Sequence, residues 1–303
     1  MSLNVQALRA CTEMCSMRKF KEFIIEKLIL ICGLASIFFV GLIFLFLLKE
    51  GLSVFKTVVP FKFILGKSWY PISEPAQFGI LPLILGSLLV TLGAAIISIP
   101  IGVACAVYIS EIAPLKIKEI LKSGIELLAA IPSVVLGFIG MVTLVPWAKQ
   151  LFHLPTGLTA LSGSIMLAFM AMPTIVSIAE DALYSVPRNY KEGALALGAT
   201  HWQTIYRVLL PAASSGILAA VMLGIGRVIG ETMAVMMITG NAAVMPHSIL
   251  QPVRTLTATI AAEMGEAVVG SEHYFALFAI GIVLFIISFA INVTADLFLH
   301  KKQ

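Results

Sequence analysis

Arg227 and Glu231 lie four residues apart in the run Gly224-Ile225-Gly226-Arg227-Val228-Ile229-Gly230-Glu231-Thr232-Met233-Ala234, which is otherwise apolar or small. On one continuous helix that spacing puts both charges on the same face. If the run crosses a bilayer, a charge at its middle costs about 2.5–3.5 kcal/mol even on a lenient insertion scale, so such residues face a bundle interior or a water-filled path. The Arg227 guanidinium stays protonated and offers a planar fork of donors suited to phosphate oxygens. Glu231 can hold the empty Arg227 as an ion pair. It can also accept from the hydroxyl of a protonated phosphate, a donor that sulfate lacks at neutral pH. The competing reading is a permanent structural salt bridge between helices. Gly226 and Gly230 make a small-xxx-small face that lets another helix approach closely.

The remaining polar residues offer less. Arg254 either attracts an anion, grips an external protein, or pairs locally with Glu263 or Glu266. Thr143, Thr174 and Ser177 line a path or serve ordinary helix contacts, and Pro132 and Pro173 free carbonyls or kink their spans. His153, His201 and His247 have no metal-ligand company, and Cys11 with Cys15 is an i, i+4 pair with no second pair nearby, so no metal site is expected. Gly66-Lys67-Ser68 imitates the end of a phosphate-binding loop, but the required earlier glycine is Phe61. No nucleotide site is expected, and any ATP chemistry must lie on another chain. Asn292-Val293-Thr294 spells a glycosylation acceptor inside an apolar run, where it has no meaning.

These residues need a membrane scaffold. Of 303 residues, 59% are hydrophobic and only 12% charged, against about 25% charged in soluble domains. Several apolar runs reach the roughly 20 residues that a spanning helix needs. Non-alternating runs and open sheet edges rule out strands as spanning elements. The expected fold is an all-α polytopic membrane protein with six transmembrane helices. Residues 1–27 form a basic N-terminal segment, too long and too poorly followed by small residues for a cleaved signal. The first span covers 28–48 and a mixed loop covers 49–77. A five-helix core covers 78–299, with spans at 78–110, 123–147, 158–179, 212–238 and 274–299, and a tail at 300–303. Pro132 falls inside the third span. With the N-terminus inside, thirteen of the twenty Lys and Arg lie in inside segments and six in outside ones. That bias predicts a cytoplasmic location for both termini and for the loop 185–211. Basic residues flank spans rather than forming a patch, so nucleic acid is not an expected partner.

Loop 185–211 carries a helical pattern of its own. Pro187 can open a first short helix, Gly198 can end it, and Thr200 with Gln203 forms a capping box that starts a second. Pro211 closes that second helix or enters the next. Glu192-Gly193-Ala194, then three residues, Gly198, nine residues and Val208-Leu209-Leu210-Pro211 resemble the Glu-Ala-Ala (EAA) loop of ABC-importer permeases. Gly193 stands for the first Ala and Val208 for Ile. The resemblance implies a type I ABC-importer permease fold in which Glu192, Gly193, Ala194, Gly198 and Pro211 belong to a cytoplasmic coupling element that docks on an ATPase. The run Gly226 to Val235, with Arg254-Thr255-Leu256-Thr257 and Ala261 to Ala267, resembles the PstC family of phosphate-importer permeases from about residue 25 onward. That likeness implies that Arg227 and Glu231 are essential for phosphate passage and that the chain itself is not an enzyme and holds no cofactor. It implies as partners a homologous PstA-like permease, two copies of a PstB-like ATPase, a periplasmic PstS-like phosphate-binding protein and membrane lipid, in a bacterial inner membrane. A permease for sulfate or molybdate, an ion-driven secondary carrier, and a membrane sensor or scaffold remain the alternatives.

Overall fold

The computed structural model describes the backbone of residues 2–300 and the side chains of residues 22–294 and 297. The side chains of Arg9, Cys11, Cys15, Arg18, Lys19 and Lys21 lie outside the described residues, as do Lys301 and Lys302. Two compact units divide the chain at Glu50–Gly51. The first is one helix, α1 (Ser2–Gly51), which takes in both the basic segment and the first span without a break. Its part from Glu22 onward is long and apolar enough to cross a membrane.

The second unit begins with a short 3₁₀ turn (Leu52–Lys56), α2 (Pro60–Leu65) and a two-stranded antiparallel hairpin, β1 (Trp69–Tyr70) with β2 (Gln77–Phe78). Val54, Phe63, Trp69, Phe78 and Ile80 bury a small core there. The hairpin was not foreseen, because two residues per strand leave no period to detect. Then come α3 (Leu81–Val107), a π-helical turn (Tyr108–Ile112), α4 (Leu115–Ala130), α5 (Ser133–Leu151) and α6 (Ala160–Tyr184). Pro100 sits inside α3 without breaking it.

The expected third span is shorter than 123–147 suggested at its start. Residue Ile131 is extended (φ −69°, ψ 128°), as a residue before proline prefers, and Pro132 opens α5 instead of kinking it from within. The amphipathic α4 is therefore a separate element. After α6 come α7 (Arg188–Ala196), α8 (His201–Thr204), a second π-helical turn (Ile205–Leu209) and α9 (Leu210–Ala212). Next are α10 (Ser214–Gly230), α11 (Met233–Ile238), α12 (Leu256–Glu263) and α13 (Glu272–His300). Among the described residues, five helices are long and apolar enough to cross a membrane, six if the bent pair of 201–212 with α10 counts as one span.

The most buried spanning helix is α6. Small residues let its neighbours close on it: a Cβ at Gly93 of α3 would lie 2.4 Å from Ser164 Oγ, and one at Gly224 of α10 would lie 2.5 Å from Ile175 Cγ1. Such close packing holds helices whose surroundings are as apolar as their side chains, and Ser164 Oγ adds a hydrogen bond to the Val90 carbonyl of α3 at 3.2 Å. Leu167, Met170, Ile175, Val221, Val228 and Ile238 form the resulting core.

Candidate functional site

Arg227 sits in the last turn of α10, where the orphan carbonyls of a helix end favour a cation. Its Nη1 donates to Thr174 Oγ1 of α6 at 3.2 Å, one residue after Pro173. Among the described residues Arg227 makes no ion pair. It is exposed, as are Leu223, Gly226 and Gly230 on the same side of α10, and a Cβ added at Gly226 or Gly230 would meet nothing within 4 Å. The small-residue face is thus uncovered in this single chain.

The expectation that Glu231 shares a helix face with Arg227 is corrected. The helix stops at Gly230, and Glu231 is extended (φ −69°, ψ 130°). Glycine weakens the helix at that point, and the next residues replace the lost helical bonds. Thr232 Oγ1 donates to the Gly230 carbonyl (3.1 Å), and Thr257 Oγ1 of α12 donates to the Glu231 carbonyl (2.9 Å). The half-buried Glu231 carboxylate accepts from the Ala234 N–H (3.3 Å), closing the start of α11. An irregular stretch at span depth is tolerated when its backbone polar groups find partners inside the protein. The fifth span expected over 212–238 is therefore two helices with Glu231-Thr232 between them, and Arg227 stands at the end of the first.

The other polar residues sort cleanly. Thr174 meets Arg227, whereas Thr143 bonds back to its own helix at Ile139 O (2.7 Å). Arg254 takes the local partner: its Nη1 bonds Glu263 Oε1, and its Nε bonds Asn241 Oδ1 at 2.9 Å. Glu263 also accepts from Trp69 Nε1 (3.0 Å) and pairs with His273 Nε2 (2.8 Å). This cluster ties the hairpin, α12 and α13 together beside a cavity of about 550 Å³.

Loop 185–211 has the two helices expected. Pro187 precedes α7 as its N-cap, Gly198 adopts φ +85°, and Thr200 with Gln203 makes both bonds of the capping box. Glu192 and Gly193 are exposed, Ala194 is half-buried and Pro211 lies exposed in α9. Leu197, Trp202 and Tyr206 present large apolar surface beside them.

Two ion clusters escaped the sequence reading. Glu180 of α6 is buried and receives Lys118 Nζ at 2.7 Å and Lys122 Nζ at 2.9 Å, both from α4. Its hydrogen bond to Glu180 holds the Lys122 ammonium above its usual value of 10.5. The signal was Glu180-Asp181 just beyond an apolar run, with lysines spaced four apart at 118 and 122. The second cluster is Lys191 Nζ with Glu111 Oε2 at 2.6 Å.

The family model for the inner membrane component of binding-protein-dependent transport systems matches residues 98–302. The chain belongs to that family. The Probable ABC transporter permease protein YqgH of Bacillus subtilis is 42% identical over 274 residues, covering 90% of this chain and 89% of that protein. The Phosphate transport system permease protein PstC of Mesorhizobium japonicum is 35% identical over 260 residues, covering 80% and 79%. An inward-facing structure of the MetNI methionine ABC transporter superimposes with a TM-score of 0.59 at 21% identity, covering 77% of this chain and all of that one. The fold is that of ABC-importer permeases.

Proposed function

We propose that this chain is the membrane-spanning permease subunit of an ATP-driven phosphate importer in a bacterial inner membrane. It would form half of the translocation path, and both termini would face the cytoplasm. The observation that carries this reading is Arg227: a guanidinium at the end of a broken span, without an ion pair among the described residues, on a face left open beside two glycines. An arginine held by one neutral hydroxyl keeps most of its donor fork for an anion. Relatives named as phosphate permeases support the choice of anion.

The proposed mechanism follows from the same geometry. The open face of α10 receives a homologous PstA-like permease, so that Arg227 lines a path between the two. A PstS-like binding protein delivers phosphate at the end that carries the hairpin. Thr174 keeps the empty guanidinium pointed into the path. Glu231 follows the helix break, and its carboxylate can accept from the hydroxyl of a protonated phosphate. Two PstB-like ATPases bind the coupling loop at Glu192, Gly193, Ala194 and Gly198, with Pro211 ending that element. Their closure drives the permeases from inward to outward facing. The chain itself breaks no bond, and ATP is hydrolysed on its partner.

The test is uptake of phosphate, sulfate and molybdate by the reconstituted complex with Arg227→Gln. Loss of phosphate uptake with normal assembly is expected. Wild-type preference for sulfate or molybdate would move the reading to another oxyanion. Uptake that needs no ATPase would move it to a secondary carrier.

A further inference from the structure

The coupling helix α7 buries none of its residues. Besides its chain connections to α6 and α8, such a helix moves with its neighbours through the side-chain contacts it makes. The shortest of these is the ion pair of Lys191 Nζ with Glu111 Oε2, at 2.6 Å. It bridges a cavity of about 610 Å³ that separates α7 from the ends of α3 and α6 and is lined by Ser110, Tyr184, Arg188 and Glu192. The Glu111 side chain is only 11% exposed and that of Lys191 36%, so the pair is shielded more than a surface one. The other Glu111 oxygen accepts from Ser110 Oγ at 3.4 Å.

Glu111 is well placed to transmit force. Its π-helical turn continues α3 without a gap, since Tyr108 retains helical backbone angles. Along its length α3 is seated on α6 through Gly93 and Gly102. A displacement of Lys191 therefore acts on the end of a helix that is packed closely along α6. π-Helical turns are frequent at functional sites.

We propose that the Glu111–Lys191 pair is the link that carries movement of the coupling helix into α3, so that ATP hydrolysis moves substrate only while the pair is intact. Glu111 is thus a positioning residue of the transport cycle. The proposal rests on the coupling-loop reading above.

The test uses the complete reconstituted complex and reads three quantities: ATPase bound, ATP hydrolysed, and phosphate taken up per ATP. Glu111→Gln is expected to retain the ATPase and its hydrolysis while the uptake per ATP falls by about fivefold, the lower end of typical couplings between sites. Glu111→Lys and Lys191→Glu each do the same, and the double swap restores the yield to within about twofold of wild type. A purely structural pair would not move the ratio in an intact complex. Wild-type yield in Glu111→Gln with the ATPase bound overturns the proposal alone, as does failure of the swap to restore it. Absence of the ATPase from the wild-type complex overturns the coupling-loop reading, and the proposal with it.

Discussion

Removing Glu180 should harm the protein less than removing its two lysines: both changes lose the two ion pairs to Glu180, and the lysine change also loses the exposed Lys122–Asp181 pair at 3.5 Å, which as a surface contact is worth under about 1 kcal/mol. The Glu180 side chain is 4% exposed, whereas those of Lys118 and Lys122 are 24% and 43% exposed. With Glu180→Gln the lysines can turn to water, and the amide oxygen still accepts one bond. The loss is then that of charge-assisted hydrogen bonds discounted for solvent exposure, about 1–2 kcal/mol. With Lys118→Met and Lys122→Met together, the carboxylate stays buried among apolar neighbours with no counter-charge. Breaking a buried pair in that sense costs about 3–5 kcal/mol. Lysine and methionine are similar in length, so packing on α6 changes little. The assay is thermal unfolding of the purified protein in detergent, followed by the loss of monodisperse protein. A gap of several degrees between the two variants is expected, since 1 kcal/mol shifts the midpoint by about 2–4 °C in domains of this order of size. A lower midpoint for Glu180→Gln than for the double lysine variant would refute the reasoning. It would mean that Glu180 is held by its surroundings and not by the lysines.

Four further outcomes follow. The ammonium of Lys122 is held above its ordinary value by its bond to Glu180, so its contribution is complete below pH 10.5 and is lost as pH rises through the higher folded value. Thermal midpoints of wild type should therefore fall toward those of Lys122→Met only above about pH 10.5, and a convergence already complete at pH 9 contradicts this. Gly198→Ala places a side chain at φ +85°; a cost of about 1 kcal/mol, read as a lower midpoint and weaker ATPase co-purification, is expected. Gly224→Val drives a Cβ into Ile175 and should destabilise the isolated chain by about 1–3 kcal/mol. Gly226→Val meets open space in this chain, so it should leave the midpoint unchanged while reducing co-purification of the second permease.

Much of this was legible in the residues. Gly198, Thr200 and Gln203 announced a helix-turn-helix because each has a strong local preference that needs no tertiary help. The apolar runs announced the spans because nothing else satisfies twenty such residues in lipid. Arg227 was conspicuous because charge is expensive at that depth. Local rules failed where distant residues decide. The break at Glu231 depends on Thr257, 26 residues on, whose hydroxyl donates to the Glu231 carbonyl. Within the span the residues are all compatible with a continuous helix, so spacing alone kept Glu231 on the face of Arg227. The boundary at Pro132 was open to a local argument, since the residue before a proline avoids helix, but a kink inside a longer span satisfied the same hydropathy. Lys122 lies 58 residues from its partner Glu180, and Lys191 lies 80 from Glu111, beyond any periodicity. Arg254 resolved toward its local carboxylate because α12 brings Glu263 back to it.

The account stands or falls with the Arg227 guanidinium. Phosphate uptake by the reconstituted complex, measured for wild type, Arg227→Lys and Arg227→Gln at matched ATPase content, tests it most directly. Near-complete loss in Arg227→Gln and a partial loss in Arg227→Lys, which keeps the charge without the planar fork, are the results expected. Phosphate uptake by Arg227→Gln at the wild-type rate, in a complex that assembles normally, would contradict the account.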